Sequence, residues 1–184
     1  MEVNKNYAGR LSKHLLNWKQ ITKNNVILDW IQGYNIKFIS NPIQKHKPQV
    51  FVSKKEFNLY DTLVNDLQNI NAISTCDHVQ NEFLSPYFLV KKSNGSYRFI
   101  LNLKKLNKFI EAPHFKLEDF RTAKNLITRD CFMASIDLKD AYFLISVKKE
   151  CRKYLRFEFN NKLYEFNCLP FGLNVAPFIW MTFF

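Results

Sequence analysis

Two hairpin signals bracket one acid-bearing apolar strand, and this arrangement limits the chain to a fold that mixes helices and strands. Residues 85–91 read as a strand that starts at Pro86, where no ladder donor is needed. Ser93-Asn94-Gly95-Ser96 supplies a turn, since Asn-Gly tolerates positive φ, and residues 97–103 return. A second hairpin runs from residues 154–159 through Asn160-Asn161 to residues 162–166. Between them, residues 115–127 carry Leu117, Phe120, Ala123 and Leu126 at helical spacing. Residues 132–138 then read as a strand with Met133, Ser135 and Asp137 on one face. Upstream, Ser53 and Glu56 match a capping box ahead of a core-facing stripe of Phe57, Tyr60, Leu63, Val64, Leu67, Ile70 and Ile73. The expected fold class is α+β.

The chain has 184 residues and is 47% hydrophobic, enough to bury one core. Eighteen Phe and eight Tyr against four Gly argue against disorder. Its formal net charge of +11 suits a polyanionic partner, nucleic acid or an anionic membrane surface, and says nothing about fold. Residues 1–52 hold eight Lys/Arg and two acids, are broken by Asn41-Pro42 and Lys47-Pro48, and read as a basic arm or linker with two short helices. Cys76, Cys131, Cys151 and Cys168 lack metal-ligand spacing, which fits a reduced intracellular protein in cytoplasm or nucleus. The polar first 25 residues do not read as a signal peptide, and no apolar run approaches 18 residues, so no membrane partner is expected.

Three blocks can carry chemistry. Asp137 and Asp140, three apart after an apolar run, fit a metal, a proton transfer or only a polar surface. Between Lys91 and Lys108 stand six basic residues and no acid: Lys91, Lys92, Arg98, Lys104, Lys105 and Lys108. They fit a grip on a phosphate chain, or merely a solvated hairpin. Leu169-Pro170-Phe171-Gly172-Leu173 leads into Pro177, a turn before a helix whose Gly allows close approach of backbone to a ligand.

Taken in order, K-K-S-N-G-S-Y-R-F-I-L-N-L-K-K-L-N, S-I-D-L-K-D-A-Y-F and Y-L-R-F-E-F-N-N-K-L-Y-E-F-N-C-L-P-F-G-L-N-V-A-P resemble the reverse transcriptases of retrotransposons over roughly residues 53–184. The stretches G-R-L-S-K-H-L-L-N-W-K-Q-I-T and W-I-Q-G-Y-N-I-K-F look like those of DIRS-type (tyrosine-recombinase) elements, within a gypsy-like set. The resemblance implies the fingers and an incomplete palm of a right-hand polymerase, with fingers near residues 53–111 and 145–175 and palm near 112–144 and 176–184. It implies that Asp137 is the first catalytic aspartate and holds two Mg²⁺ ions, with the Leu138 backbone beside them. Tyr142 matches the aromatic gate against the sugar, and Asp140 and Ala141 neighbour the triphosphate. Lys91 and Arg98 match phosphate-holding fingers residues, and Phe171 and Gly172 the loop beneath the nucleotide. Lys92, Lys104, Lys105 and Lys108 are expected on nucleic acid. The implied partners are an RNA or DNA template-primer and deoxynucleoside triphosphates. Asn102 stands where the family often has Asp.

The remaining carboxylates of such a site come, in the family, from a Y-x-D-D-type hairpin after the helix that begins near Pro177. The 184 residues do not include it, so the isolated chain is expected to be an inactive fragment of an RNA-directed DNA polymerase. The alternative is a non-catalytic nucleic-acid-binding relic. A different Asp-dependent phosphotransfer enzyme would leave Pro170-Phe171-Gly172 unexplained.

Overall fold

A computed structural model of the chain describes residues 7–116, 124–125, 127–134 and 138–183. A 3-10 turn at Arg10–His14 leads into α1 (Leu15–Ile21), followed by α2 (Asn25–Gln32) and α3 (Lys54–Asn69). Strand β1 (Ile73–Thr75) precedes the hairpin β2 (Tyr87–Lys91) and β3 (Tyr97–Leu101). After 3-10 turns at Leu106–Phe109 and Ala141–Leu144 come α4 (Lys149–Arg152), β4 (Arg156–Phe159), β5 (Lys162–Phe166) and α5 (Ala176–Thr182).

Local chemistry explains most boundaries. Asn24 caps α2 by accepting from the Val26 amide at 2.9 Å, and Gly33 ends that helix at φ +141°. At α3 the Ser53 hydroxyl turns instead to the Glu56 carboxylate at 2.6 Å, so the expected capping box closes side chain to side chain. Asn71, at φ +61°, stops α3, and Ile73 joins β1 rather than continuing the helical stripe. The Asn160-Asn161 pair takes φ +49° and +56°, the geometry of a tight hairpin turn.

The sheets are β1-β5-β4, all antiparallel, and the β2-β3 ribbon. The ribbon lays Tyr87, Phe99 and Leu101 onto the three-stranded sheet. Tyr87 and Phe99 stack at 5.1 Å, Phe99 meets Phe157 at 5.0 Å, and Phe157 stacks on Tyr164 at 5.3 Å. Buried Tyr60, Val64 and Leu67 of α3 belong to the same core. Arg156 of β4, 5% exposed, is neutralised by Glu82 and Glu165, both at 2.7 Å, and donates to the Asp77 carbonyl at 2.9 Å.

The N-terminal segment is built into this core. Ile31 is fully buried, Tyr34 bridges to Val147, and Ile36 is buried beside them. Trp18 meets Phe183 edge-on at 5.4 Å and Trp30 meets Phe178 at 6.0 Å, so α1 and α2 clasp α5. The arm expected from composition is therefore packed structure over residues 7–38, because Trp18, Trp30, Tyr34 and Phe38 find aromatic partners even though Leu16, Ile21 and Val26 stay exposed.

Two expectations meet the limits of the described residues. The helix at 115–127 lies mostly outside them. Of the strand at 132–138, Ser135, Ile136 and Asp137 lie outside, while Phe132, Met133, Ala134 and Leu138 form no ladder. Phe132 and Met133 are exposed. A strand needs a hydrogen-bonded neighbour, and none of the described residues supplies one here.

Candidate nucleotide site

The β2-β3 register decides which basic side chains converge. Val90 pairs with Arg98 and Lys91 with Tyr97, so period-two alternation puts Lys91 on the face opposite Arg98. Lys92, whose amide donates to the Ser96 carbonyl at 2.7 Å, returns to the Arg98 face. The turn itself is a three-residue loop: the Gly95 amide donates to the Lys92 carbonyl at 3.0 Å with Gly95 at φ +83°.

A cavity of about 740 Å³ lies beside β3, lined by the cationic Lys92, Arg98 and Lys139 and by the acidic Asp66 and Asp140. Its apolar wall includes Phe99, Phe143 and Phe171. Lys91, Ala141, Tyr142 and Gly172 do not line it, and neither do Lys104, Lys105 and Lys108. Those three lysines are exposed on the segment after β3, anchored from below by buried Leu103 and Leu106.

Phe171 is the hub of the site. The Arg98 guanidinium sits 4.4 Å from its ring centroid, a cation–π contact. Tyr142 and Phe143 flank the same ring, each at 5.3 Å. Arg98 Nε is buried without a hydrogen-bond partner among the described residues. A buried cationic donor of that kind is costly unless an acceptor arrives. Burial pushes the Tyr142 phenol up from its ordinary value, and the Arg98 charge opposes that shift.

The Pro170-Phe171-Gly172 loop is fixed against β3. Gly172 adopts φ +106°, and a Cβ there would fall 2.3 Å from the Leu101 carbonyl oxygen. Asn107 Nδ2 donates to the Gly172 carbonyl at 2.9 Å, and its Oδ1 accepts from the Asn174 amide at 3.2 Å. Asn107, Lys139 and Asp66 had no signal of their own in the sequence. Asn107 is an ordinary Asn until residues 65 and 67 positions away fold over it.

Asp140 holds φ +47° and begins the 3-10 turn Ala141–Leu144, which carries Tyr142. The Phe143 amide donates to the Asp140 carbonyl at 2.9 Å. Leu138 is 42% exposed beside this turn. Asp137, the expected metal ligand, lies outside the described residues. Among the described residues no three His, Cys, Asp or Glu side chains converge as a metal site. Also among the described residues, no helix is long and apolar enough to cross a membrane.

A family model described as reverse transcriptase (RNA-dependent DNA polymerase) matches residues 90–184. The Pol polyprotein of equine infectious anemia virus (isolate 1369) is 29% identical over 140 residues, 72% of this chain and 12% of its own length. The transposon Tf2-7 polyprotein of Schizosaccharomyces pombe is 24% identical over 146 residues, covering 79% of this chain and 10% of that protein. The chain thus spans about a tenth of the length of these curated relatives. A foamy viral protease-reverse transcriptase solved in complex with double-stranded DNA superposes with a TM-score of 0.66 at 15% identity, over 94% of this chain and 33% of that one. The same enzyme with an RNA/DNA hybrid gives 0.65 at 14% identity, over 94% and 26%. The fold is therefore that of a reverse transcriptase, represented in part.

Proposed function

Since the chain belongs to the reverse transcriptase (RNA-dependent DNA polymerase) family, we propose that it forms the incoming-nucleotide side of an RNA-directed DNA polymerase acting on a template-primer. The observation that carries this reading is the convergence of Lys92 and Arg98 from one ribbon face on a cavity bordered by Asp140. Arg98 offers the triphosphate a charge-assisted hydrogen bond from a guanidinium already oriented on Phe171. Lys92 adds a point charge at the hairpin tip. Of the two adjacent lysines, we assign this phosphate role to Lys92, since Lys92 lines the cavity and Lys91 does not. Tyr142, braced on Phe171, is the group assigned to the sugar. Phosphoryl transfer asks mainly for such positioning and charge neutralisation.

Asp137 and the Leu138 backbone are assigned to Mg²⁺, which when bound would activate the primer hydroxyl and neutralise the α-phosphate. Lys104, Lys105 and Lys108 are assigned to the template-primer backbone; the double-stranded DNA and RNA/DNA hybrid held by the foamy viral enzyme support that partner class. Fingers near 53–111 and 145–175 and palm near 112–144 and 176–184 remain our division of the chain, with residues 7–38 packed against the palm helix α5. That the element is of the tyrosine-recombinase type rests on residues 9–22 and 30–38 alone.

The test is calorimetric titration of the 184-residue chain with dATP in MgCl₂. Lys92→Ala and Arg98→Ala are each expected to weaken binding at least about fivefold, the cost of one charge-assisted hydrogen bond. Lys91→Ala is expected to change it less than twofold. No binding by the unaltered chain, or an equal loss from Lys91→Ala and Lys92→Ala, refutes the assignment.

A further inference from the structure

We propose that Tyr7, with the Ala8 and Gly9 backbone, is a positioning strap for the turn that carries Asp140 and Tyr142, and so sets discrimination between deoxy- and ribonucleoside triphosphates. The selectivity half rests on the reading above that Tyr142 faces the sugar. The positioning half rests on geometry alone.

The strap grips the turn at both ends. The Tyr7 hydroxyl donates to the Lys139 carbonyl, and the Gly9 amide donates to the Phe143 carbonyl at 2.8 Å. Between these bonds the Ala8 amide donates to the Ile70 carbonyl at 2.9 Å, fastening the strap to the end of α3. Three consecutive residues thus tie the turn to a helix that also walls the cavity. On its far side the strap is fixed by Gly9, which adopts φ +72° and whose missing Cβ would lie 3.3 Å from Ser146 Cβ.

The turn needs such support. Asp140 sits in the left-handed region, which Asp adopts more readily than most residues but still at a cost that neighbouring contacts offset. The Phe143 amide to Asp140 carbonyl bond and the Ile145 amide to Tyr142 carbonyl bond, at 3.2 Å, close the turn at its two ends. Phe143 is buried and Tyr142 is half-buried against Phe171, so a shift of the turn moves the Tyr142 ring relative to the cavity. Tyr7 is suited to the role as a donor. Burial and the neighbouring Asp140 carboxylate raise its phenol above its ordinary value, with Arg10 opposing, so the hydroxyl keeps its proton at neutral pH.

Tyr7→Phe removes the hydroxyl and keeps the ring. Two measurements on the full chain test the strap. Amide hydrogen exchange at Phe143 and Ile145 is expected to quicken about 2- to 12-fold, the range for loss of one net hydrogen bond, while β4 and β5 amides stay unchanged. Calorimetric titration with dATP and ATP in MgCl₂ is expected to show the deoxy-over-ribo affinity ratio falling at least threefold, with dATP affinity itself changing less. Gly9→Ala, whose added methyl meets Ser146 rather than the turn and so strains the strap, is expected to reproduce both effects. Unchanged exchange at Phe143 and Ile145 overturns the strap. Faster exchange with an unchanged ratio overturns its role in selectivity. Absence of nucleotide binding by the unaltered chain refutes the nucleotide reading and the selectivity with it, and the exchange measurement then decides the positioning half by itself.

Discussion

Gly172→Ala is the sharpest single perturbation of the site, because Gly95 provides an internal control. Both glycines have positive φ, +106° and +83°. An alanine at either position incurs about 1–2 kcal/mol for adopting a left-handed backbone. At Gly95 the added methyl meets nothing within 4 Å, so the cost ends there. At Gly172 it falls 2.3 Å from the Leu101 carbonyl oxygen, and the loop must open by about 1 Å to restore ordinary contact. That displacement breaks the 2.9 Å bond from Asn107, worth about 1 kcal/mol net. It also uncouples Phe171 from Arg98, worth about 0.5–2 kcal/mol. Gly172→Ala is therefore expected to cost about 2.5–5 kcal/mol, and to exceed Gly95→Ala by about 1.5–3 kcal/mol. Urea unfolding followed by tryptophan fluorescence measures both; the excess corresponds to a midpoint difference of about 1 M at a slope near 2 kcal/mol/M. Equal midpoints for the two variants would refute the docking of the loop on β3.

Asn107→Ala removes two bonds to the same loop and is expected to cost about 1–3 kcal/mol in urea unfolding and to weaken dATP binding in the titration. Arg156→Met leaves the largely buried Glu165 without its cation and Glu82 with His78 as its remaining cationic partner, and is expected to destabilise by about 3 kcal/mol; joint replacement of Arg156, Glu82 and Glu165 by apolar residues is expected to recover much of that loss. Glu82 gives the pH dependence: burial raises its carboxyl, but hydrogen bonds from His78 and Arg156 outweigh burial and hold it below the ordinary 4.5. Its stabilising contribution is then present above pH 4.5 and lost as pH falls through its lower folded value, so Glu82→Gln should flatten the acid limb of a stability-versus-pH curve. Among the thiols, exposed Cys131 should react first with an aromatic disulfide reagent, whereas buried Cys151 and Cys168, both pushed up by burial, should react only on unfolding.

Features that depend on neighbouring residues were legible without coordinates. Helical spacing located α3, turn chemistry at Asn94-Gly95 and Asn160-Asn161 located both hairpins, and Pro177 marked the start of α5. The mixed fold and the family resemblance followed from the order of those pieces. Tertiary structure decided the rest. Whether Lys91 or Lys92 borders the cavity depends on how the ribbon tip packs beside α3 and Phe171, and only Lys92 lines it. Asn107 and Tyr7 act on residues 65 and 132 positions away, so no local pattern could reveal them. The basic N-terminal segment reads as an arm because its apolar residues are sparse. It packs because Trp18, Trp30 and Tyr34 meet partners at the other end of the chain. Periodicity and turn preference are properties of contiguous residues, whereas convergence on one cavity is a property of long-range contacts, which only the folded chain contains.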